Sequence, residues 1–182
     1  MQKVKLSSFN NSWFKPGNKI RIILWYIFNR MFINTYFPFP SSFKLFILSV
    51  FGSNIGENVF IKPKVNIKYP WLLKIDDNVW IGENVWIDNL AKVTINSNVC
   101  ISQGAILLTG NHNYKISSFD LMLGEIKLEE GVWIGAMCVL CPGVICNSHS
   151  ILTVGSVATK DLESYSIYQG NPAKKIKNRI IE

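Results

Sequence analysis

The sequence predicts a mainly β protein whose principal domain is a parallel β-solenoid with three flat sides. An aliphatic residue returns every six positions over long stretches, and a small or β-branched residue follows most of these four positions later. Turn-forming residues fill the intervals, as in Ile-Gly-Glu-Asn-Val, which occurs at both 55–59 and 81–85. A period of six matches neither an amphipathic helix nor a two-sided sheet, but it matches a repeated short strand and turn with one inward apolar residue per side.

The spacing of the aliphatic residues also counts the coils. Three six-residue units close one coil of 18 residues, and the steps from Ile55 to Ile75 and from Ile75 to Ile95 add two corner residues to each coil. The step from Leu128 to Cys146 is 18 residues. We therefore expect about five coils around a stack of aliphatic side chains.

One step in the pattern is too long for a single coil. Ile95 and Leu128 are 33 positions apart, which leaves about 15 residues beyond one coil, at roughly 113–127. Long excursions from a regular scaffold are usually functional or disordered. This extended loop is therefore the first place to look for a site.

Residues 1–54 lack the six-residue pattern and form a predicted N-terminal helical region, before a solenoid domain at 55–182 that ends in a basic C-terminal tail. Lys19–Tyr36 is apolar and aromatic, prolines follow it, and a second helix begins at Ser41 or Ser42 and runs to about Phe51. Two interpretations are compatible. The helices cap the open edge of the first coil, or the basic, aromatic face within residues 1–50 contacts a membrane surface.

The composition of the chain limits its possible binding partners and its cellular compartment. Lys and Arg outnumber Asp and Glu by 19 to 12, and the net charge of +7 favours anionic partners. The basic residues are not interleaved with aromatics on one face, which argues against nucleic acid. The four cysteines lack the spacing of a secreted disulfide scaffold, and the start lacks the apolar core of a cleavable signal. The longest apolar stretch, Ile20–Phe28, is too short to span a bilayer. We expect a cytoplasmic protein, at the inner face of the cytoplasmic membrane if the N-terminal region contacts lipid.

Short motifs along nearly the whole chain are more specific than the repeat. They are Ile67-Lys-Tyr-Pro-Trp71, Val79-Trp-Ile-Gly-Glu83, Ile101-Ser-Gln-Gly-Ala105, Leu108-Thr-Gly-Asn-His-Asn-Tyr114, Val132-Trp-Ile-Gly135, Pro142-Gly-Val144, Gly155-Ser156, Thr159-Lys-Asp161 and Gly170-Asn-Pro-Ala173. Together they resemble the hexapeptide-repeat O-acetyltransferases, particularly the branch associated with colanic acid and other exopolysaccharides. The sequence departs from the usual pattern at Cys146-Asn147 and at Val154, but neither departure removes a chemical group.

The resemblance implies a fold, an assembly and an activity. The fold is a left-handed parallel β-helix, a known exception to the right-handed rule for parallel crossovers. The assembly is a homotrimer with active sites between neighbouring subunits. The activity is transfer of an acetyl group from acetyl-coenzyme A to a sugar hydroxyl in exopolysaccharide, capsule or lipopolysaccharide biosynthesis.

Acyl transfer to a hydroxyl needs a base, and histidine suits this task with an unperturbed pKa of about 6.5. Of the two histidines, His112 lies at the root of the extended loop and is the predicted general base, whereas His149 lies in mid-repeat and is expected at the surface. We expect direct transfer without a covalent enzyme intermediate. Asp88 and Glu125 both remain open as groups that orient His112. The resemblance implies an oxyanion donor among the backbone N–H groups near Gly135–Ala136.

The resemblance also assigns residues to the two substrates. Asp88 and Asn89 fall where relatives place an acceptor-binding amide, although a simple turn explains them equally well. Trp133 could instead pack at a subunit interface, and the basic tail is by default a solvated charged end. The matching coenzyme-binding positions are Trp133, Gly135, Ala136, Val154, Gly155, Thr159 and Lys160, with Lys174, Lys177 and Arg179 of the tail at the phosphates.

Several other functions are weighed against this one. Cys138, Cys141, Cys146 and His149 superficially resemble a zinc knuckle, but only the first and third point inward in the repeat frame, so no metal site is predicted. A γ-class carbonic anhydrase needs three histidines. A non-enzymatic solenoid scaffold is the alternative from another class, and it would need neither the loop nor an isolated histidine at its root. Transfer of another acyl group, or transfer to an amine, also remains open.

Overall fold

The structure is a computed structural model and describes residues 3–182. Very short strands stack in register along a three-sided parallel β-helix. In the first sheet Ile55 lies opposite Ile75, Ile75 opposite Ile95, and Ile95 opposite Leu128. The six-residue pattern therefore corresponds to one strand and one corner per unit, which confirms the predicted solenoid.

Five complete coils follow one another, each with one strand on face 1, one on face 2 and one on face 3. Two helices precede them, α1 (Lys19–Phe28) and α2 (Ser41–Val50). The strands of the five coils are β1 (Asn54–Ile55), β2 (Phe60–Ile61) and β3 (Asn66–Ile67); β4 (Leu73–Ile75), β5 (Trp80–Ile81) and β6 (Trp86–Asp88); β7 (Val93–Ile95), β8 (Cys100–Ile101) and β9 (Ile106–Leu108), followed by the loop hairpin β10 (Gly110–His112) and β11 (Leu121–Leu123); β12 (Ile126–Leu128), β13 (Trp133–Ile134) and β14 (Val139–Leu140); and β15 (Ile145–Cys146), β16 (Ile151–Leu152) and β17 (Val157–Ala158).

A partial sixth coil, which the sequence spacing did not count, closes the C-terminal end. Leu162 bridges to Cys146 on face 1, and β18 (Ser166–Gly170) pairs with β16 on face 2. The predicted basic tail forms β19 (Ala173–Asn178), which pairs antiparallel with β18. The tail is thus part of the sheet and covers its last edge.

The three-sided solenoid has the shape of a prism, and two of its three edges matter for the site. The groove corner joins face 2 to face 3, and the loop corner joins face 3 to face 1 of the next coil. The groove corner comprises 62–65, 82–85, 102–105, 135–138 and 153–156, and the loop corner comprises 68–72, 89–92, 109–125, 141–144 and 159–161.

The core is the predicted stack of inward side chains. Ile67, Ile87, Ile95 and Leu107 are completely buried, and burial of each such side chain contributes about 1.5–3 kcal/mol. Ile55 is only partly buried because it lies in the first coil, where no further coil covers it.

The N-terminal helices pack against that first coil. The Asn18 side chain accepts a hydrogen bond from the Ile20 N–H and caps the start of α1. The Trp25 indole donates to the Ile67 carbonyl at 2.9 Å, and the buried Lys44 ammonium donates to the Ile61 carbonyl at 3.1 Å. These contacts are those that the capping interpretation predicts. No helix among the described residues has the length and apolarity to cross a membrane.

The extended loop occupies 109–125 rather than the expected 113–127. Its two ends pair antiparallel as β10 and β11, with His112 opposite Leu121. Ile126 is 1% exposed and pairs with Val93 on face 1, so the solenoid resumes earlier than the spacing suggested. The reason is that β12 is three residues long and carries two inward side chains, of which the six-residue pattern marks only Leu128.

Candidate functional site

His112 ends the first strand of the loop hairpin, and a backbone carbonyl holds its ring. Nδ1 lies 2.8 Å from the Phe119 carbonyl oxygen. A carbonyl only accepts hydrogen bonds, so Nδ1 carries a proton, and in the neutral imidazole Nε2 therefore keeps its lone pair. The Phe119 ring stacks on the imidazole at a centroid distance of 4.5 Å and an interplanar angle of 6°. The orienting group is therefore the Phe119 carbonyl and not Asp88 or Glu125, the two side chains that the sequence left open.

The N-terminal segment reaches the same hairpin. The Lys5 N–H donates to the Ser117 carbonyl at 2.8 Å, and the Phe9 ring lies 5.7 Å from the His112 ring. Sequence reasoning missed this contact because Phe9 precedes His112 by more than one hundred residues and belongs to no repeat. The imidazole therefore has two aromatic neighbours, of which Phe119 stacks on it and Phe9 lies tilted beside it.

A cavity of about 230 Å³ lies between α1 and the first two coils, next to the root of the loop. Its lining combines aromatic rings with charged and amide groups, a mixture that suits a polyhydroxylated molecule. Asn29 is 5% exposed, and its Oδ1 is buried without a hydrogen-bond donor from residues 3–182. The lining includes Asn29, Arg30, Lys68, Tyr69, Trp86 and Asp88.

Asp88 connects this cavity to the loop. Its carboxylate is 16% exposed and forms an ion pair with Lys68 at 2.9 Å. Its backbone carbonyl accepts hydrogen bonds from both the N–H and the hydroxyl of Thr109, the first residue of the loop. Asp88 thus lies in the coil directly before the one from which His112 emerges.

Asn89, the second predicted acceptor-binding residue, has a structural role and needs correction. Its side chain is completely buried, with Nδ2 donating to the Tyr69 carbonyl at 2.6 Å and Oδ1 accepting from the Tyr69 N–H at 2.9 Å. This pair of bonds fixes the corner between the first and second coils. An acceptor cannot reach the amide in this chain.

A groove of about 420 Å³ runs along face 2 beside the groove corner, over the third to fifth coils. Four of the predicted coenzyme-binding residues line it: Trp133, Gly135, Ala136 and Val154. The Trp133 indole donates to the Ser102 hydroxyl at 3.0 Å, which fixes the ring over the groove. Strands of neighbouring coils lie about 4.8 Å apart, so the groove extends about 10 Å along the helix axis.

The two predicted oxyanion donors differ in availability. The Gly135 N–H already donates to the Leu152 carbonyl at 2.8 Å. The Ala136 N–H makes no hydrogen bond to another backbone group among residues 3–182, although its carbonyl accepts from Gly155 at 2.8 Å. Ala136 is therefore the better candidate of the two.

The other predicted coenzyme-binding residues outside the tail lie at two different corners of the solenoid. Gly155 lies at the groove corner, in the left-handed region with φ +68°. Thr159 and Lys160 are exposed at the loop corner, the edge from which His112 emerges. Within one chain, face 3 separates this edge from the groove, a span of six residues or roughly 20 Å. The root of the loop that carries His112 and the groove therefore lie at different corners of one chain.

Only part of the C-terminal tail is available to bind the coenzyme phosphates, as the sequence predicts for three of its residues. Lys174 and Lys177 are exposed on β19. Arg179 instead donates through one guanidinium nitrogen to the carbonyls of Gly131 and His149, at 2.9 and 3.1 Å. Its assignment to a phosphate needs correction, because this side chain ties the tail to the corner between faces 1 and 2. His149 lies at that corner, with the Tyr165 ring centroid 4.7 Å away and tilted by 35°.

Comparison with known proteins identifies relatives along nearly the whole chain. No protein-family profile matches it. A protein of Escherichia coli strain K12 named as the colanic acid biosynthesis acetyltransferase WcaF is 31% identical over 167 residues, 92% of each chain. The galactoside O-acetyltransferase of the same organism is 29% identical over 133 residues, 69% of this chain and 63% of its own.

Solved structures share the fold. A hexapeptide-repeat acetyltransferase of Vibrio cholerae superposes with a TM-score of 0.79 and 20% identity, over 91% of this chain and 96% of its own. A galactoside acetyltransferase in complex with coenzyme A superposes with a TM-score of 0.78 and 23% identity, over 87% and 80%. The predicted left-handed parallel β-helix with two N-terminal helices is confirmed. By its identity and coverage to the E. coli protein, the chain belongs to the family of hexapeptide-repeat acetyltransferases.

Proposed function

We propose that the protein transfers an acetyl group from acetyl-coenzyme A to a sugar hydroxyl, with His112 as the general base. The observation that carries this proposal is the hydrogen bond between His112 Nδ1 and the Phe119 carbonyl, because it leaves Nε2 free to accept a proton. The sugar oxygen attacks the acetyl carbonyl as His112 takes its proton, and His112 then returns that proton to the departing thiolate. The Ala136 N–H donates to the oxygen that becomes negative.

The groove supports coenzyme A as the donor. Its walls are backbone and small or apolar side chains, which suit the extended apolar arm of the coenzyme, and Trp133 provides a fixed aromatic surface. Lys160, Lys174 and Lys177 are exposed cations for the phosphates. A related structure contains coenzyme A and another contains acetyl-coenzyme A. The acetyl-coenzyme A complex of one relative and the acetyltransferase names of others support an acetyl group over a longer acyl group.

The division of the site between two corners supports a trimer with shared active sites. If the loop corner of one subunit faces the groove of its neighbour, then His112, Thr159 and Lys160 of one chain meet Trp133, Ala136 and Val154 of the next. This arrangement removes the separation of roughly 20 Å within one chain. A closed ring of three such contacts leaves no groove without a base.

The cavity beside Asp88 is the proposed acceptor site. Trp86 and Tyr69 offer rings for the apolar face of a sugar, and the partly exposed Asp88 carboxylate accepts hydrogen bonds from hydroxyl groups. Two relatives are named for a polysaccharide and for a galactoside, which supports a saccharide acceptor and a role in polysaccharide biosynthesis. We place the reaction in the cytoplasm, a reducing compartment compatible with the four free thiols.

A thiol-release assay with acetyl-coenzyme A and a panel of sugars tests the activity. The substitution His112→Ala should lower kcat by about 10²–10⁴-fold, the usual contribution of a general base. The other histidine provides the matched control, since His149→Ala removes a partly exposed imidazole at the corner between faces 1 and 2, which the proposed mechanism does not use. Equal turnover by the His112→Ala enzyme would remove His112 from the mechanism.

Mixed oligomers test whether neighbouring chains share each site. One chain carries His112→Ala, and the other carries Ala136→Trp, whose side chain fills the groove. Each chain alone is inactive, but in an equal random mixture about one quarter of the shared sites receive an intact base and an intact groove. Recovery of about one quarter of the activity supports the shared site. A mixture without activity places the whole site within one subunit.

A further inference from the structure

The N-terminal helices expose an apolar surface that the catalytic site does not use. In α1, Trp25 packs inward against the solenoid, whereas Ile20, Leu24 and Ile27 are 69%, 46% and 45% exposed. Their spacing of four and three residues places these three side chains on one face of the helix. The outward positions of a helix on a water-soluble surface are normally polar, so this face of α1 is an anomaly.

The second helix continues the pattern. Phe46 and Val50 are 66% and 65% exposed on the outer side of α2, while Ile47 and Leu48 are buried beneath them. Phe32 joins the two helices, with ring centroids 5.6 Å from Phe28 of α1 and 5.5 Å from Phe43 of α2. Phe28 and Phe43 are themselves 36% and 38% exposed. The outer surface of α1 and α2 therefore carries one connected set of aromatic and aliphatic groups.

Charge is segregated onto the same part of the chain. The first acidic residue is Glu57, so residues 1–56 contain no Asp or Glu but seven basic residues. Residues 57–182 contain the remaining 12 basic and all 12 acidic residues. The whole net charge of +7 thus belongs to the N-terminal region. The basic residues of this region are Lys3, Lys5, Lys15, Lys19, Arg21, Arg30 and Lys44.

We propose that the outer face of α1 and α2 binds the surface of an anionic phospholipid membrane. Exposed apolar groups enter the boundary between headgroups and acyl chains, and the basic residues of this region other than the buried Lys44 attract the negative headgroups. The exposed Trp13, at 55% exposure, is of a residue type that prefers this boundary. The charge selects a membrane over a second copy of the chain, because two copies would bring together two basic regions that contain no acidic residue. The proposal does not depend on the acetyl-transfer reaction.

Flotation of the full chain with lipid vesicles tests the proposal. One set of vesicles is phosphatidylcholine alone, and the other is phosphatidylcholine mixed with phosphatidylglycerol. The wild type should float with the mixed vesicles and much less with the neutral ones, and added salt should weaken the binding. The double substitution Leu24→Gln, Ile27→Gln should abolish flotation. Circular dichroism confirms that this variant folds, which its exposed positions favour.

Two further variants separate local charge from net charge. Lys15→Gln with Lys19→Gln should weaken binding to the mixed vesicles by about tenfold or more, whereas Lys174→Gln with Lys177→Gln removes the same charge from the opposite end and should change it little. Equal weakening by both pairs would overturn the proposal, as would a wild type that stays with the unbound protein. Light scattering measures the oligomeric mass and tests whether the face is an interface between copies of the chain. If the Leu24→Gln, Ile27→Gln variant loses oligomeric mass and keeps its vesicle binding, the face is an interface between copies and the proposal is wrong.

Discussion

The contact between the fourth and fifth coils at Gly135 sets how closely the walls of the groove approach. A β-carbon at this position would lie 2.7 Å from Val154 N, 2.8 Å from Leu152 O and 2.9 Å from the Thr153 carbonyl carbon. All three are backbone atoms, so no change of rotamer relieves the overlap. Ordinary contact begins at 3.4 Å, so Gly135→Ala forces the fifth coil to move away by about 0.7 Å (3.4 minus 2.7).

That displacement acts on three hydrogen bonds between the coils. They join Trp133 N to Ser150 O at 3.0 Å, Gly135 N to Leu152 O at 2.8 Å, and Gly155 N to Ala136 O at 2.8 Å. At about 1 kcal/mol for each bond, Gly135→Ala should lower the free energy of unfolding by about 3 kcal/mol. It should also raise the KM for acetyl-coenzyme A, since the groove walls at Ala136 and Val154 separate.

Urea denaturation and steady-state kinetics measure the two effects of Gly135→Ala. The matched control is Gly143→Ala, where φ is +86° and a β-carbon would meet nothing within 4 Å. This control should cost only the backbone strain, about 1–2 kcal/mol. An unfolding midpoint and a KM that match the wild type in Gly135→Ala would refute the tight contact between these coils.

Two other predictions concern buried groups. Burial lowers the pKa of Lys44, so its charged form opposes folding below the lowered pKa, and stability should rise as the pH increases from that value towards 10.5. Lys44→Met should leave the free energy of unfolding at pH 7 unchanged or raise it by about 1–2 kcal/mol, because the Ile61 carbonyl keeps a hydrogen bond from Ser41. Urea denaturation at several pH values measures this, and the stability of the variant should rise less at alkaline pH than that of the wild type. A loss of several kcal/mol in the variant would contradict this account. Burial raises the pKa of the Cys138 and Cys146 thiols, which are completely buried. In a titration with a thiol reagent at pH 8, these two should react only on unfolding, later than the other two cysteines, and rapid reaction of all four in the native protein would show that the core opens readily.

The solenoid could be predicted from the sequence because its contacts repeat at a fixed distance along the chain. Each coil packs only on its neighbours, so the identity of an inward residue such as Ile87 reflects a local environment that recurs every six positions. Where the environment differs, the pattern misplaced boundaries. The six-residue pattern places Ile126 in the loop, because β12 carries one more inward residue than the pattern marks. The pattern also predicts no sixth coil, because Leu162 and the tail depart from the repeat.

The site was less accessible to sequence reasoning than the fold. A histidine at the root of the loop and the residues of the groove could be recognised by type and position. The role of each polar side chain depends on which backbone atoms lie within hydrogen-bond distance of it. Asn89 turned out to hold the Tyr69 backbone, and Arg179 turned out to hold the Gly131 carbonyl.

The amino-acid sequence by itself determined the three-sided coil, its aliphatic stack and the presence of one histidine at a departure from the repeat. These features depend on residues close together in the chain. Only the tertiary structure decided that the Phe119 carbonyl orients His112, that the Phe9 ring lies beside it, and that the groove lies on a different edge of the prism. The reason is that these relations depend on distant segments and on the direction of individual side chains, which a six-residue period does not encode.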